Sequence, residues 1–115
     1  MLCLVVFVIC VGCVARQQTI TYFYLMACHT CEESQRMEQV AWRVINLRER
    51  MLNARIDVYD ITNGDSMEVL SNTVAELGID LGDLDLPILI VNGTLYNGET
   101  AVAAVIDKIE SKVRR

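Results

Sequence analysis

The chain has 115 residues, which is enough for one domain and too short for two. Hydrophobic residues make up 53% of it and charged residues 22%, a composition typical of a folded chain rather than a disordered one. Its 15 acidic and 10 basic residues give a formal net charge of -5, which argues against nucleic acid as the main partner, because phosphate binding needs clustered Lys and Arg.

An unbroken apolar run extends from Leu2 to Ala15. Its length fits the apolar part of a signal peptide, about 7 to 15 residues, better than a membrane-spanning helix of roughly 20 residues. We therefore predict that residues 1–18 form a signal peptide, a lipoprotein signal or a short membrane anchor, and that residues 19–115 form the domain. A buried first strand or helix is the alternative, although the run has neither period 2 nor period 3.6.

Three fates are open for this leader. It is cleaved after Ala15, lipidated at Cys13, or retained as an anchor. Lipidation is considered because Cys10-Val-Gly-Cys13 resembles a lipobox, with Cys in place of the usual first Leu. The same four residues also spell C-x-x-C, which we interpret as two small apolar residues rather than a redox pair. Each fate predicts an extracytoplasmic domain, whereas a mistaken start would leave it in the cytoplasm.

After the leader, strands and helices are predicted in turn. Residues Thr19 to Leu25 are rich in β-branched and aromatic side chains and predict a first strand. A long helix follows Cys31, with apolar residues at helical spacing: Met37, Val40, Ala41, Val44, Ile45, Met51 and Leu52. We expect Trp42 to pack beside this apolar face. Residues Arg55 to Ile61 predict the second strand.

A second helix is predicted to follow the Asn63-Gly64 turn and to end at Gly78. Asp65 and Glu68 have the spacing of a capping box at its start. Residues 79–86 then form an acidic loop, in which we expect a solvated surface rather than a cation site because no EF-hand pattern is present.

Two strands and a helix complete the predicted order. Pro87 opens the apolar strand Ile88 to Val91, Asn92-Gly93 is a hairpin turn, and Thr94 to Tyr96 is the returning strand. The last helix runs from Glu99 to Arg114. The order is therefore β-α-β-α-β-β-α, in a chain of the α/β class.

The residues Cys28-His29-Thr30-Cys31 stand where the first strand ends and the first helix begins. Free N–H groups and the positive dipole end of the helix stabilise a thiolate at Cys28, and the thiolate is the form that attacks disulfides. Cys31, expected inside the helix, can resolve a mixed disulfide by forming the internal bond. We expect His29 and Thr30 to modulate this pair, with the following Glu residues opposing the effect of His29.

A C-x-x-C pair also occurs in zinc sites, but zinc takes about four ligands. Outside the leader only Cys28, Cys31 and His29 are available. An inert disulfide is the other alternative, although so short a loop gains little stability from closure. We therefore favour redox chemistry, with no metal and no cofactor besides the Cys28–Cys31 disulfide.

Two motifs resemble those of small thioredoxin-fold proteins that are glutaredoxin-like in size and order of elements. The first extends from Tyr22 to Cys31 and the second from Leu86 to Gly93, with Gly98 opening the last helix. The resemblance covers nearly all of residues 19–115. It implies a thioredoxin-like fold, with a four-stranded mixed sheet flanked by helices.

The resemblance also implies roles for individual residues. Cys28 would be the nucleophile and Cys31 the resolving thiol. Pro87 would follow a cis peptide bond near the two sulfurs, and the backbone of Leu86 would pair with the substrate chain. The sequence departs from the family in four ways. The interval from Cys31 to Pro87 is wider than is typical, Tyr22 stands where many thioredoxins have a buried acid, and no basic set for glutathione is evident near Pro87. The His-Thr pair between the cysteines is that of neither thioredoxins nor glutaredoxins, so the direction of electron flow stays open.

The sequence thus predicts a bacterial, extracytoplasmic thiol-disulfide oxidoreductase that acts on protein thiols through a mixed disulfide on Cys28. We expect protein thiols or disulfides and a redox partner protein as partners, and a monomer held at the membrane by the leader or by lipid on Cys13. Two alternatives stay open. One is a membrane-tethered thioredoxin-like module that binds a partner or metal without turnover, and the other is a cytosolic glutaredoxin-like reductase.

Overall fold

The computed structural model describes residues 17–26 and 30–113. Residues 1–16 of the predicted leader, with Cys13 among them, lie outside these ranges. The described strands are β1 Gln18–Tyr24, β2 Ala54–Asp60, β3 Ile88–Val91 and β4 Thr94–Asn97. The described helices are α1 Glu32–Asn46, α2 Gly64–Glu76 and α3 Glu99–Val113.

The four strands form one mixed sheet in the order β2-β1-β3-β4. β1 is parallel to β2 and antiparallel to β3, which is in turn antiparallel to β4. A parallel pair needs a crossover connection, and α1 provides it between β1 and β2. This order and these directions confirm the predicted α/β, thioredoxin-like fold.

The sheet has a hydrophobic cluster on each face, because successive side chains of a strand point to opposite sides. Tyr22 packs with α1 and α3, whereas the next residue, Phe23, packs with α2. The first cluster consists of Ile20, Tyr22, Ala41, Val44, Leu47, Ile56, Leu89, Val102 and Ile106. The second consists of Phe23, Leu70, Val74, Ile88 and Ile90. Helices on both faces explain why β3 is apolar throughout.

The turn between β3 and β4 is the hairpin that the sequence predicts. Asn92 has φ of 50° and Gly93 has φ of 86°. Positive φ at both central residues is the requirement of a type I′ turn, which Asn-Gly meets with little strain. The side-chain oxygen of Asn92 also accepts a hydrogen bond from the backbone N–H of Thr19 at 2.9 Å.

The first helix is shorter than its apolar pattern predicts. It ends at Asn46 and continues as a short 3-10 helix, Leu47–Glu49. The guanidinium of Arg48 donates to the carbonyl oxygen of Ile56 at 2.8 and 3.1 Å, so it joins this end of the helix to β2. Met51 and Leu52 therefore belong to the connection rather than to the helix, and Leu52 is 87% exposed.

Two other local predictions are wrong. Trp42, expected to pack beside the apolar face of α1, is 59% exposed. The capping box at Asp65 and Glu68 does not form, because Asn63 caps α2 instead. The side-chain oxygen of Asn63 accepts the backbone N–H of Asp65 at 2.9 Å, and its own backbone is extended.

Candidate active site

Cys31 stands at the N-terminus of α1. Its backbone is extended, with φ of -80° and ψ of 133°, and its carbonyl oxygen accepts the N–H of Gln35 at 3.0 Å. It is therefore the N-cap residue, and the prediction that it lies inside the helix is wrong by one position. Cys31 is exposed and disulfide-bonded. Its expected partner Cys28, together with His29, lies outside the described residues.

The N-cap position gives Cys31 a favourable place for a thiolate. The first N–H groups of a helix have no acceptor within it, and the positive end of the helix dipole lies beside them. A thiolate released at Cys31 when the disulfide opens is stabilised by these groups. Glu32 and Glu33 in the first turn oppose this effect, but both are exposed, so water screens them.

Pro87 directly precedes β3, at the end of the sheet where β1 terminates. Phe23 pairs with Ile88, so the residues after β1 and those before β3 lie at the same end of the sheet. The Leu86–Pro87 peptide bond is cis, the conformation that the resemblance implies. Pro87 is fully buried, and its carbonyl oxygen accepts the N–H of Gly98 at 2.9 Å, which joins it to the start of α3.

Leu86 directly precedes the cis peptide bond to Pro87. It is half-buried and packs against the second hydrophobic cluster. The described residues supply no hydrogen-bond partner for its N–H or its carbonyl oxygen. Such groups are the ones with which an extended peptide pairs when it adds to a sheet.

A groove of about 290 Å³ lies beside Pro87, between α1 and α3. Its floor is apolar, and Arg36 and Glu99 stand at its rim. The Nε of Arg36 is 3.2 Å from Oε1 of Glu99, and its Nη1 is 3.9 Å from Oε2 of Glu32. No basic set near Pro87 is evident in the sequence, and Arg36 is the basic residue that packing brings there.

Tyr22 lies beneath α1 at the position where many thioredoxins have an acid. Its ring is fully buried and stacks on that of Tyr24, with 5.7 Å between the ring centroids. Its hydroxyl donates to the carbonyl oxygen of Met37 at 2.9 Å. Burial raises the pKa of Tyr22 well above its ordinary value, with smaller contributions from Tyr24 and Glu99. Tyr22 is therefore a neutral hydrogen-bond donor under the helix.

Asp60 is a site residue that the sequence analysis missed. It ends β2, directly beside Tyr24 at the end of β1. One carboxylate oxygen accepts the backbone N–H of Met26 at 3.3 Å, and also the N–H and hydroxyl of Thr62 at 3.0 and 2.7 Å. Asp60 thus holds the segment that leads from β1 to the cysteine motif. The signal was available, since the carboxyl ends of parallel strands meet at one edge of the sheet.

We expect Asp60→Ala to release this segment. The change removes the acceptor of the N–H of Met26 and of the N–H and hydroxyl of Thr62, and the free energy of unfolding should fall by about 1–3 kcal/mol. Exchange activity should fall with it, because the cysteine motif loses its anchor. Urea unfolding measures the first effect and an insulin-reduction assay the second, with Asp57→Ala on the same strand as the control. If Asp60→Ala kept the wild-type free energy of unfolding and the wild-type exchange activity, the contact with Met26 would have no positioning role.

Among residues 17–26 and 30–113, no group of three or more His, Cys, Asp or Glu side chains is arranged to hold a metal ion. In the same residues, no helix has both the length and the apolar character needed to cross a membrane. The acidic loop contains a short 3-10 helix, Leu81–Asp83, capped by the side chain of Asp80.

Comparisons with known proteins give one similarity. No protein-family model matches the chain, and no curated protein matches it. Among solved structures, it is similar to the NTD_N/C domain of the alkylhydroperoxide reductase AhpF from Enterococcus faecalis, with 15% identity and a TM-score of 0.47. The match covers 81% of this chain and 38% of that chain. A similarity of this size indicates nothing about function.

Proposed function

We propose that the chain is an extracytoplasmic thiol-disulfide oxidoreductase that exchanges disulfides with protein thiols through Cys28 and Cys31. The observation that carries the proposal is the exposed, disulfide-bonded Cys31 at the N-cap of α1. An exposed disulfide is open to attack by a thiolate, and the helix end favours the thiolate that departs. The open backbone of Leu86 at the same end of the sheet supplies a place for an extended substrate segment.

In the oxidising direction the exchange has two steps. A substrate thiolate attacks Sγ of Cys28, so that the Cys28–Cys31 bond breaks, the mixed disulfide forms and Cys31 departs as a thiolate. A second substrate thiolate then attacks the mixed disulfide at the substrate sulfur. The substrate leaves with a disulfide, Cys28 is released as a thiolate, and two electrons have passed to the pair. The reducing direction uses the same steps in reverse, and the reduction potential of the pair sets which one prevails.

Thr30 and Pro87 support this chemistry in different ways. Thr30 is exposed directly before the N-cap and, with His29, tunes the reactivity of the pair. Pro87 has no N–H of its own, so it competes with no substrate group for the acceptors around it. Pro87 also borders the groove between α1 and α3, whose apolar lining offers a surface for a side chain of the substrate.

Catalysed reduction of insulin by dithiothreitol tests the proposal. The wild-type chain should accelerate the reaction well beyond dithiothreitol alone, whereas Cys28→Ser/Cys31→Ser should not. The double variant is a matched control because both substitutions are nearly isosteric. A wild-type rate equal to that of the double variant would exclude turnover and favour the tethered binding module. A titration of the pair against glutathione buffers then gives its potential.

Location is tested separately from chemistry. We expect the apolar leader to export the domain and to hold it at the membrane, through the leader itself or through lipid on Cys13. Alkaline phosphatase fused after Arg115 should be active, because its disulfides form only outside the cytoplasm. Deletion of residues 2–15 should abolish that activity. An inactive fusion, with the fused protein present in the cells, would overturn the export proposal and favour the cytosolic reductase.

A further inference from the structure

The end of the domain opposite the cysteine motif has an unusual surface. β1 and β2 begin there, and the β3–β4 turn and the end of α3 lie beside them. A groove of about 530 Å³ opens at this end, and its lining includes Gln18, Arg50, Leu52, Asn92 and Lys112. These five residues define what we call the basic end.

Leu52 is the most exposed of the large hydrophobic residues in the described chain. Its exposed fraction is 87%, against 59% for Trp42 and 38% for Met67. It projects from the connection between α1 and β2, next to the exposed Arg50. A single exposed Leu is ordinary on a protein surface, so its meaning depends on what surrounds it.

Basic residues are unevenly distributed along the chain. No Lys or Arg occurs between Arg55 and Lys108, and that stretch contains Asp57, Asp60, Asp65, Glu68, Glu76, Asp80, Asp83, Asp85, Glu99 and Asp107. The basic end has Arg50 and Lys112, opposed by Glu49. In the sequence, Arg16 lies two positions before Gln18, and Arg114 and Arg115 lie two and three positions after Lys112. In a chain of net charge -5, Arg50 and Lys112 make this end the one that an anionic surface attracts.

The leader meets the domain at this same end. The apolar run stops at Ala15 and β1 begins at Gln18. Three residues span at most about 11 Å, so whatever surface the run enters lies close to the basic end.

We propose that the basic end lies against an anionic membrane surface. Leu52 enters the interface between headgroups and acyl chains, and Arg50 and Lys112 contact lipid phosphates. The cysteine motif, Pro87 and the groove between α1 and α3 then face away from the bilayer, toward protein substrates. The inference applies to either leaflet. It rests on entry of the leader into the bilayer, and it is independent of the redox activity.

Tryptophan quenching by brominated lipid tests this orientation. Trp42 is the single Trp of the chain, so Trp42→Phe/Leu52→Trp reports on the basic end alone. Trp42→Phe/Met67→Trp places the probe in the first turn of α2, which follows the opposite end of β2. Both full-length chains are reconstituted into vesicles of phosphatidylglycerol and dibrominated phosphatidylcholine. Quenching at position 52 should exceed that at position 67 by about threefold or more, because an interfacial residue lies roughly 5–10 Å deep.

Charge reversal supplies the control. Arg50→Glu/Lys112→Glu in the Leu52→Trp background should remove most of the excess quenching, whereas Lys108→Glu, an exposed residue of α3 outside the groove, should not. Equal quenching at the two positions, or chains that do not associate with the vesicles, would overturn the proposal. Shielding of position 52 from both brominated lipid and aqueous iodide would also overturn it, since protein would then cover the groove. Insulin reduction by the same preparations shows separately whether the proposed function holds.

Discussion

Cys28→Ser should lower the rate of disulfide exchange by roughly three orders of magnitude, because it removes the proposed attacking sulfur. Cys31→Ser should produce a different defect. Attack by Cys28 survives in that variant, but the mixed disulfide has no resolving thiol and should accumulate. Non-reducing electrophoresis of acid-quenched samples measures this accumulation as a mobility shift that a reductant reverses.

The leader cysteines provide the matched control. Cys10→Ser/Cys13→Ser should leave the exchange rate of the purified chain unchanged, because we assign no redox role to that pair. If Cys28→Ser instead trapped partners and Cys31→Ser did not, the two roles would be exchanged. The N-cap position of Cys31 gives that outcome a physical basis, since the helix end stabilises a thiolate there.

Tyr22→Ala should have the largest effect on stability among the changes near the site. The ring is fully buried in the first hydrophobic cluster and stacks on Tyr24. Loss of a buried aromatic ring costs about 3–5 kcal/mol, a large part of the roughly 5–15 kcal/mol that stabilises an ordinary domain. Urea unfolding, monitored by circular dichroism, gives the difference directly.

Tyr22→Phe distinguishes the contribution of the hydroxyl from that of the ring, because it keeps the ring and removes the hydroxyl. It removes only the hydrogen bond to the carbonyl oxygen of Met37, for which we expect a loss of about 1 kcal/mol. Because the raised pKa keeps the hydroxyl neutral, the change alters no charge beneath the site, and exchange should continue near the wild-type rate. A folded Tyr22→Phe variant with strongly reduced exchange would show instead that the hydroxyl acts on the cysteine pair through α1.

Features that depend on near neighbours in the chain were predictable from the sequence. The seven elements occur in the predicted order, because β-branched runs, helical spacing and turn residues act over a few positions. The Asn92-Gly93 turn is one case, since both residues accept positive φ. The position of Cys31 at the start of a helix is another, with an error of one residue because helix caps depend on local competition between neighbouring groups.

Features that depend on distant residues were decided by the tertiary structure. Asp60 reaches Met26 only because β1 and β2 are parallel and end side by side. Arg36 reaches the rim of the groove beside Pro87 only because α1 packs next to α3. The first helix has apolar spacing up to Leu52, yet it ends at Asn46, where the connection to β2 begins. The spacing of apolar residues along the sequence indicates which segments can form a helix or a strand. Which side chains meet across the sheet is set by strand order and packing, which bring together residues far apart in the sequence.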